Sequence, residues 1–168
     1  MAQQLDTFLE LDLMHSELDE MFLRHQEGLI AGRLSDALQR LDRFERLLLL
    51  HMRHEEQQLL PAFEAQRSQQ DEPPGLPAEV YVLEHKKICE RLSEIKQPLV
   101  ELQEQGQPSP RDLIAMLDLE CGFKQLLDHH NRREHNLLYP DSDKLISEDK
   151  RMAMLEQCRT EWAEARDH

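Results

Sequence analysis

The chain has 168 residues, enough for one domain with a substantial core, and its 34 acidic against 20 basic residues give a net charge of −14. That charge repels a phosphate backbone, which excludes nucleic acid as a partner, and it disfavours an anionic membrane surface. An aromatic fraction of 5%, five glycines and a weighting to Leu, Glu, Gln, Arg and Ala favour helix over sheet, so the expected class is all-α.

The N-terminal MAQQLDTFLELD is acidic where an export signal needs a basic start and an apolar stretch, and the longest apolar run, LLLL at 47–50, is too short to span a bilayer. The expected location is the cytoplasm, with no membrane partner. Breakers at Gly28 to Gly32, SQQDEPPGLP (68–77), GQPSP (106–110) and YPDSD (139–143) divide the chain into five predicted helices. These cover about residues 4–28, 35–66, 77–105, 110–138 and 147–165, with ends uncertain by roughly 2 to 4 residues. Ser35, Pro77, Ser109-Pro110, and Ser147 with Glu148 and Asp149 supply N-terminal signals. No stretch reads as strand. The three cysteines, Cys89, Cys121 and Cys158, are far apart, form no C-x-x-C unit and read as buried helix thiols.

Each of the first four helices carries a seam of three- and four-residue steps, the pattern that turns one stripe of a helix into a bundle. The first seam is Phe8, Leu11, His15, Leu18, Phe22, His25 and Leu29; the second is Leu41, Phe44, Leu48, His51, Glu55, Leu59 and Ala62. The third is Ala78, Tyr81, His85, Ile88, Leu92, Ile95 and Leu99; the fourth is Leu113, Met116, Glu120, Phe123, Leu127, His130, Glu134 and Leu137. In antiparallel helices, residues equidistant from the connecting turn lie at one level. His15 and His51 centre on residue 33, His51 and His85 on 68, and His85 and His130 between 107 and 108, each in or beside a breaker. The four histidines therefore fall in one layer of an up-down-up-down four-helix bundle. Glu55 and Glu134 lie one turn beyond His51 and His130 on the same faces.

An unsatisfied buried polar group costs about 1–3 kcal/mol, and a charged one more, so such a layer needs a partner. A metal removes that cost. Imidazole and carboxylate donors suit iron, manganese or zinc, and the lack of thiolates argues against a closed structural zinc site. Two carboxylates bridging two cations would leave one position on each for a small ligand. An H-E-x-x-H zinc hydrolase has no support, because His54-Glu55 is followed by Gln58. His25 sits about 15 Å along the helix from His15 and is expected to be satisfied by solvent or a neighbour. His54, His129 and His135 lie off the seam and are expected to be exposed, as are Arg53 and Arg132. Glu120 is too far from His130 to join the layer, and either a buried supporting role or a solvated bundle end fits it.

HMRHEEQQLLP at 51–61 and HNRREHNLLYP at 130–140 share the frame His-x-Arg-x-Glu-x-x-x-Leu-x-Pro, each copy preceded by a lone histidine, His15 or His85. Over approximately residues 8–142 this pattern resembles the hemerythrin-like, His-His-Glu cation-binding family. The resemblance implies an antiparallel four-helix bundle holding a non-haem di-iron centre of two iron ions. His15, His51, His85 and His130 would be terminal ligands, and Glu55 and Glu134 bridges. The family's oxygen carriers have H-x-x-x-H on the third helix, where the positions four before and four after His85 are here Tyr81 and Cys89, and H-x-x-x-x-D on the fourth, here H-x-x-x-E. The fifth histidine is missing, which points away from reversible oxygen carriage and toward nitric oxide or peroxide stress, iron-centre repair, or iron and oxygen sensing. Repair-type members carry an additional N-terminal cysteine-containing domain, and none is expected here. Tyr81 lies one turn from His85, where packing and contact with the centre are both open.

The expected organisation is a bundle over residues 1–142 and a C-terminal helix over 143–168, whose stripe of Met152, Leu155, Cys158 and Trp162 must be buried on the bundle or on a second subunit, as a homodimer. The leading functional expectation is a di-iron protein that binds or reduces oxygen, nitric oxide or peroxide, in stress response or iron handling. The alternatives are a metal-dependent regulatory module without turnover and a purely structural bundle.

Overall fold

The computed structural model describes residues 6–167, all of whose regular elements are helical. A 3-10 turn at Phe8–Leu11 leads into α1 (Asp12–Ile30), followed by α2 (Leu34–His54), α3 (Leu60–Arg67), α4 (Ala78–Gln105), α5 (Pro110–Arg133), α6 (Tyr139–Leu145) and α7 (Glu148–Asp167). Residues 4 and 5 of the first predicted helix lie outside the described residues. α1 packs on α2, α2 on α4, α4 on α5 and α5 back on α1, giving a helical bundle. No helix is long and apolar enough among the described residues to cross a membrane.

The seams form the core. Phe22, Phe44 and Phe123 come from α1, α2 and α5 and meet in the core with ring centroids 5.0, 5.3 and 6.0 Å apart. α1 ends where Gly32 takes φ 69°, a conformation that suits glycine, so that Arg33 N–H turns back to the Gly28 carbonyl at 2.9 Å. α5 starts on a reciprocal cap between Ser109 and Asp112, as Ser109-Pro110 predicts. Ser35 instead falls inside the first turn of α2, whose cap position is Arg33.

The two prolines of the repeated frame do not stop their helices. YPDSD, read above as a breaker, runs on as α6, because a proline in the first turn of a helical segment sacrifices no hydrogen bond that the segment needs. What the prolines change is the register. Pro61 and Pro140 have no N–H for the carbonyls of Gln57 and Asn136, and in each copy the preceding turn is a π-turn, Glu55–Leu59 and Glu134–Leu138. Leu60 N–H donates to the Glu55 carbonyl and Tyr139 N–H to the Glu134 carbonyl, five residues back. The wider turn shifts the buried face by one residue. Leu137, placed on the seam by strict helical spacing, is therefore 37% exposed, and Leu138 is buried in its place.

α7 lies on the outside of the bundle, against α1 and α2. Leu155, Cys158 and Trp162 are buried, with Cys158 Sγ 3.7 Å from Met14 Sδ and Trp162 Nε1 donating to Glu17 Oε2 at 3.1 Å. Arg159 forks onto both oxygens of Glu10 at 2.6 Å. Only Cys158 matches the expectation of a buried thiol: Cys121 is exposed and Cys89 half-buried, and all three are free.

Candidate metal centre

Four helical runs deliver one polar layer. His15 comes from α1, His51 and Glu55 from the end of α2 and its π-turn, His85 from α4, and His130 and Glu134 from the end of α5 and its π-turn. All six are buried. Both carboxylates are the first residues of the two π-turns, so the proline two residues past each turn ties the repeated frame to the layer.

The donors converge. His15 Nε2 and His51 Nε2 face each other at 2.8 Å, and His15 Nε2 lies 3.3 Å from Glu134 Oε2. His130 Nε2 is 2.9 Å and His85 Nε2 3.6 Å from Glu134 Oε1. Glu55 spans the layer, with Oε2 3.4 Å from His85 Nε2 and Oε1 3.7 Å from His51 Nε2. Two groups of ligand atoms result, each within 4.8 Å: Glu55, His85, His130 and Glu134 in one, His15, His51 and Glu134 in the other. Glu134 belongs to both.

Several of these atoms, His85 Nε2, His130 Nε2, Glu55 Oε2 and Glu134 Oε1, are buried and have no hydrogen-bond partner of acceptable geometry among the described residues, even where a distance is short. Buried polar atoms are otherwise paired almost without exception. Lone pairs aimed at a common point, from nitrogen and carboxylate oxygen, fit cations of the iron, manganese and zinc group.

The electrostatics follow from the same geometry. Burial opposes charge on His15, but hydrogen bonds to Asp12 and Glu134 and the charges of Glu134 and Glu55 outweigh it and raise His15 to about 10. Burial likewise opposes charge on His85, and contacts with Glu134 and Glu55 raise it to about 10. His51, desolvated on all sides and next to His15, drops to about 4. Burial acts against ionisation of Glu134 too, yet the surrounding histidines, His130 foremost, hold its carboxyl well below the usual range. Of the two facing imidazoles, His15 is the one favoured to carry a proton and His51 the one favoured to stay neutral.

Outside the layer, His85 Nδ1 is 2.8 Å from Glu56 Oε1 and His130 Nδ1 is 2.9 Å from Glu84 Oε2, with Arg133 also paired to Glu84. Asp12 lies 3.4 Å from His15 Nδ1 and accepts from His135 at 2.5 Å.

Tyr139 is the residue that pattern reading missed. Its hydroxyl donates to Glu55 Oε1 at 2.8 Å and lies 3.3 Å from both Glu134 Oε2 and His15 Nε2. Burial, then the two carboxylate charges, push this phenol well above its ordinary value, so it is a neutral donor. The signal was present in the repeat itself: LLYP carries a tyrosine where LLP has Leu60. Tyr81 is fully buried, its hydroxyl has no partner among the described residues, and burial raises it to about 12.

His25 is not exposed to solvent: Nδ1 is 2.7 Å from the Ala37 carbonyl and Nε2 2.8 Å from Glu120 Oε1, both side chains being fully buried. Glu120 thus has a buried supporting role as the partner of His25, whose ring packs beside Phe22. His54 corrects the expectation of exposure. It is 7% exposed because α7 covers it, with Glu161 Oε2 3.3 Å from its Nε2. His129, His135, Arg53 and Arg132 are exposed as expected. A small cavity of about 20 Å³ lies where α7 meets this flank, lined by His51, Glu55, Leu59, Met154, Leu155 and Cys158 among others.

Residues 7–142 match the hemerythrin HHE cation-binding domain family. No curated protein and no solved structure matched the chain.

Proposed function

The chain belongs to the hemerythrin HHE cation-binding domain family, and on that premise we propose that it is a cytoplasmic non-haem di-iron protein that binds a small ligand. The proposed topology is the antiparallel up-down-up-down bundle, with α1, α2, α4 and α5 as its four helices and residues 143–168 as an appended helix. His15, His51, His85 and His130 would hold the two iron ions, with Glu55 and Glu134 as the carboxylates that would be shared between them. The observation that carries this reading is Glu134, a fully buried carboxylate that belongs to both groups of converging donors.

When bound, iron supplies coordination positions open to oxygen, nitric oxide or peroxide, and electrons for their reduction. The protein's own part is to keep the layer dry, hold the imidazoles in place, and present the Tyr139 O–H as a donor beside Glu55 and Glu134. With no fifth histidine on α4, the role proposed is in oxidative or nitrosative stress or iron handling rather than oxygen carriage. The test is visible absorption of protein loaded with iron without air, followed by separate exposure to oxygen and to nitric oxide. New bands with one gas identify the ligand; an unchanged spectrum with both gases contradicts the reading.

A second reading is metal-dependent sensing without turnover. It is favoured by α7, whose Leu155 and Cys158 share a cavity with His51 and Glu55, so that occupancy of the layer is felt by that helix. Limited proteolysis with and without iron separates the two: cleavage in α7 that depends on metal favours sensing.

A further inference from the structure

The six residues of the layer fall into two halves, and the structure supports them unequally. In one half, His85 and His130 face Glu55 and Glu134, and both rings are held from behind. Glu56 Oε1 lies 2.8 Å from His85 Nδ1, and Glu84 Oε2 lies 2.9 Å from His130 Nδ1. Glu84 is fixed in turn by Arg133 and is only 16% exposed.

The other half is less well held. Asp12 stands 3.4 Å from His15 Nδ1 and is shared with His135 at 2.5 Å. His51 Nδ1 is buried and has no partner among the described residues. This half has one carboxylate within ligand distance, Glu134, where the first has two, and the Glu55 oxygen that turns toward it already accepts from Tyr139.

An imidazole ligates through Nε2 only when its proton sits on Nδ1. A carboxylate behind Nδ1 fixes that tautomer, holds the ring plane and makes Nε2 a better donor. Losing such a partner costs about 10- to 100-fold in metal affinity. His85 and His130 have this support, and His51 does not.

We propose that the two ion positions differ in affinity, an inference that rests on the metal-binding reading above. The position formed by His85, His130, Glu55 and Glu134 fills first and holds its ion more tightly. Glu56 and Glu84 are its positioning residues. The position formed by His15, His51 and Glu134, with Glu55 as a second bridge whose Oε1 already accepts from Tyr139, fills second and exchanges more readily.

The experiment is a stepwise titration of the metal-free chain with cobalt(II) under argon, followed by visible absorption and calorimetry. Two resolved steps are expected, the first at least about 10-fold tighter than the second. His51→Ala should remove the second step and leave the first. Glu84→Ala and Glu56→Ala should each weaken the first step by about 10- to 100-fold, and Glu84→Gln, which keeps an acceptor oxygen behind His130, should recover part of it. Glu10→Gln, which breaks the surface pair with Arg159, should change neither step. Equal affinities in the wild-type chain, or a first step indifferent to both alanine variants, overturn the inference and leave metal binding standing. A chain that takes up no cobalt overturns both.

Discussion

The Tyr139 hydroxyl donates to Glu55 Oε1 at 2.8 Å, joining the tail of the second repeat to the carboxylate of the first. Replacing it with phenylalanine leaves a buried carboxylate oxygen without that donor, a loss of about 1–3 kcal/mol for the metal-free fold. Tyr139→Phe should therefore lower the melting temperature after chelation. Metal content should stay at the wild-type level, because the phenol is outside the set of six donors.

Glu134 is shared and His15 is not. Glu134→Ala should reduce bound iron to near zero, whereas His15→Ala should retain about one ion per chain, since the other group keeps its own imidazoles and carboxylates. Elemental analysis of the two variants checks this, and equal losses in both would remove the case for a bridging carboxylate.

In the metal-free chain His15 and His85 are raised to about 10, so both carry a proton at pH 7. A metal takes the unprotonated ring, and loading the layer at pH 7 should release about two protons. The sign fixes the pH dependence. Release should stay near that value up to pH 9 and fall as pH rises through about 10, where the rings have already lost their protons. Calorimetry in buffers of different ionisation enthalpy measures it.

His25 and Glu120 form a fully buried pair about 15 Å along α1 from His15. Glu120→Ala leaves the buried His25 Nε2 without its partner and should cost about 1–3 kcal/mol, while the paired change His25→Leu with Glu120→Leu should recover much of that loss. Urea denaturation reads both. Iron content per folded chain should not change in either variant.

Cysteine reactivity should follow exposure. Cys121 is exposed, whereas Cys158 is buried beneath α7 and desolvation raises its thiol to about 12. An alkylating reagent at pH 8 should label Cys121 first and Cys158 last, because the thiolate is the reacting form.

Much of this architecture was legible in the residues. Periodicity placed His15, His51, His85 and His130 in the core, and the midpoint rule put them at one level because the connecting turns are short relative to the helices. Leu137 and YPDSD were misread for one physical reason: a proline that removes a backbone donor can widen the preceding turn instead of ending the helix, and strict 3.6-residue spacing does not register the added residue. His54 was misread because its cover comes from α7, more than a hundred residues away, and seam patterns carry no information about which outer face a distant helix will take. Glu120 was placed in the core by its spacing, but only the close approach of α1 and α5 reveals His25 as its partner. Tyr139 could have been found by asking what differs between the two copies of the frame.

We propose two cations held by six buried residues, with Glu55 and Glu134 between them. The most direct test is the number of iron ions bound per chain after anaerobic loading and removal of excess metal. About two are expected in the wild-type chain. A stable helical chain that retains no iron under those conditions would contradict the proposal.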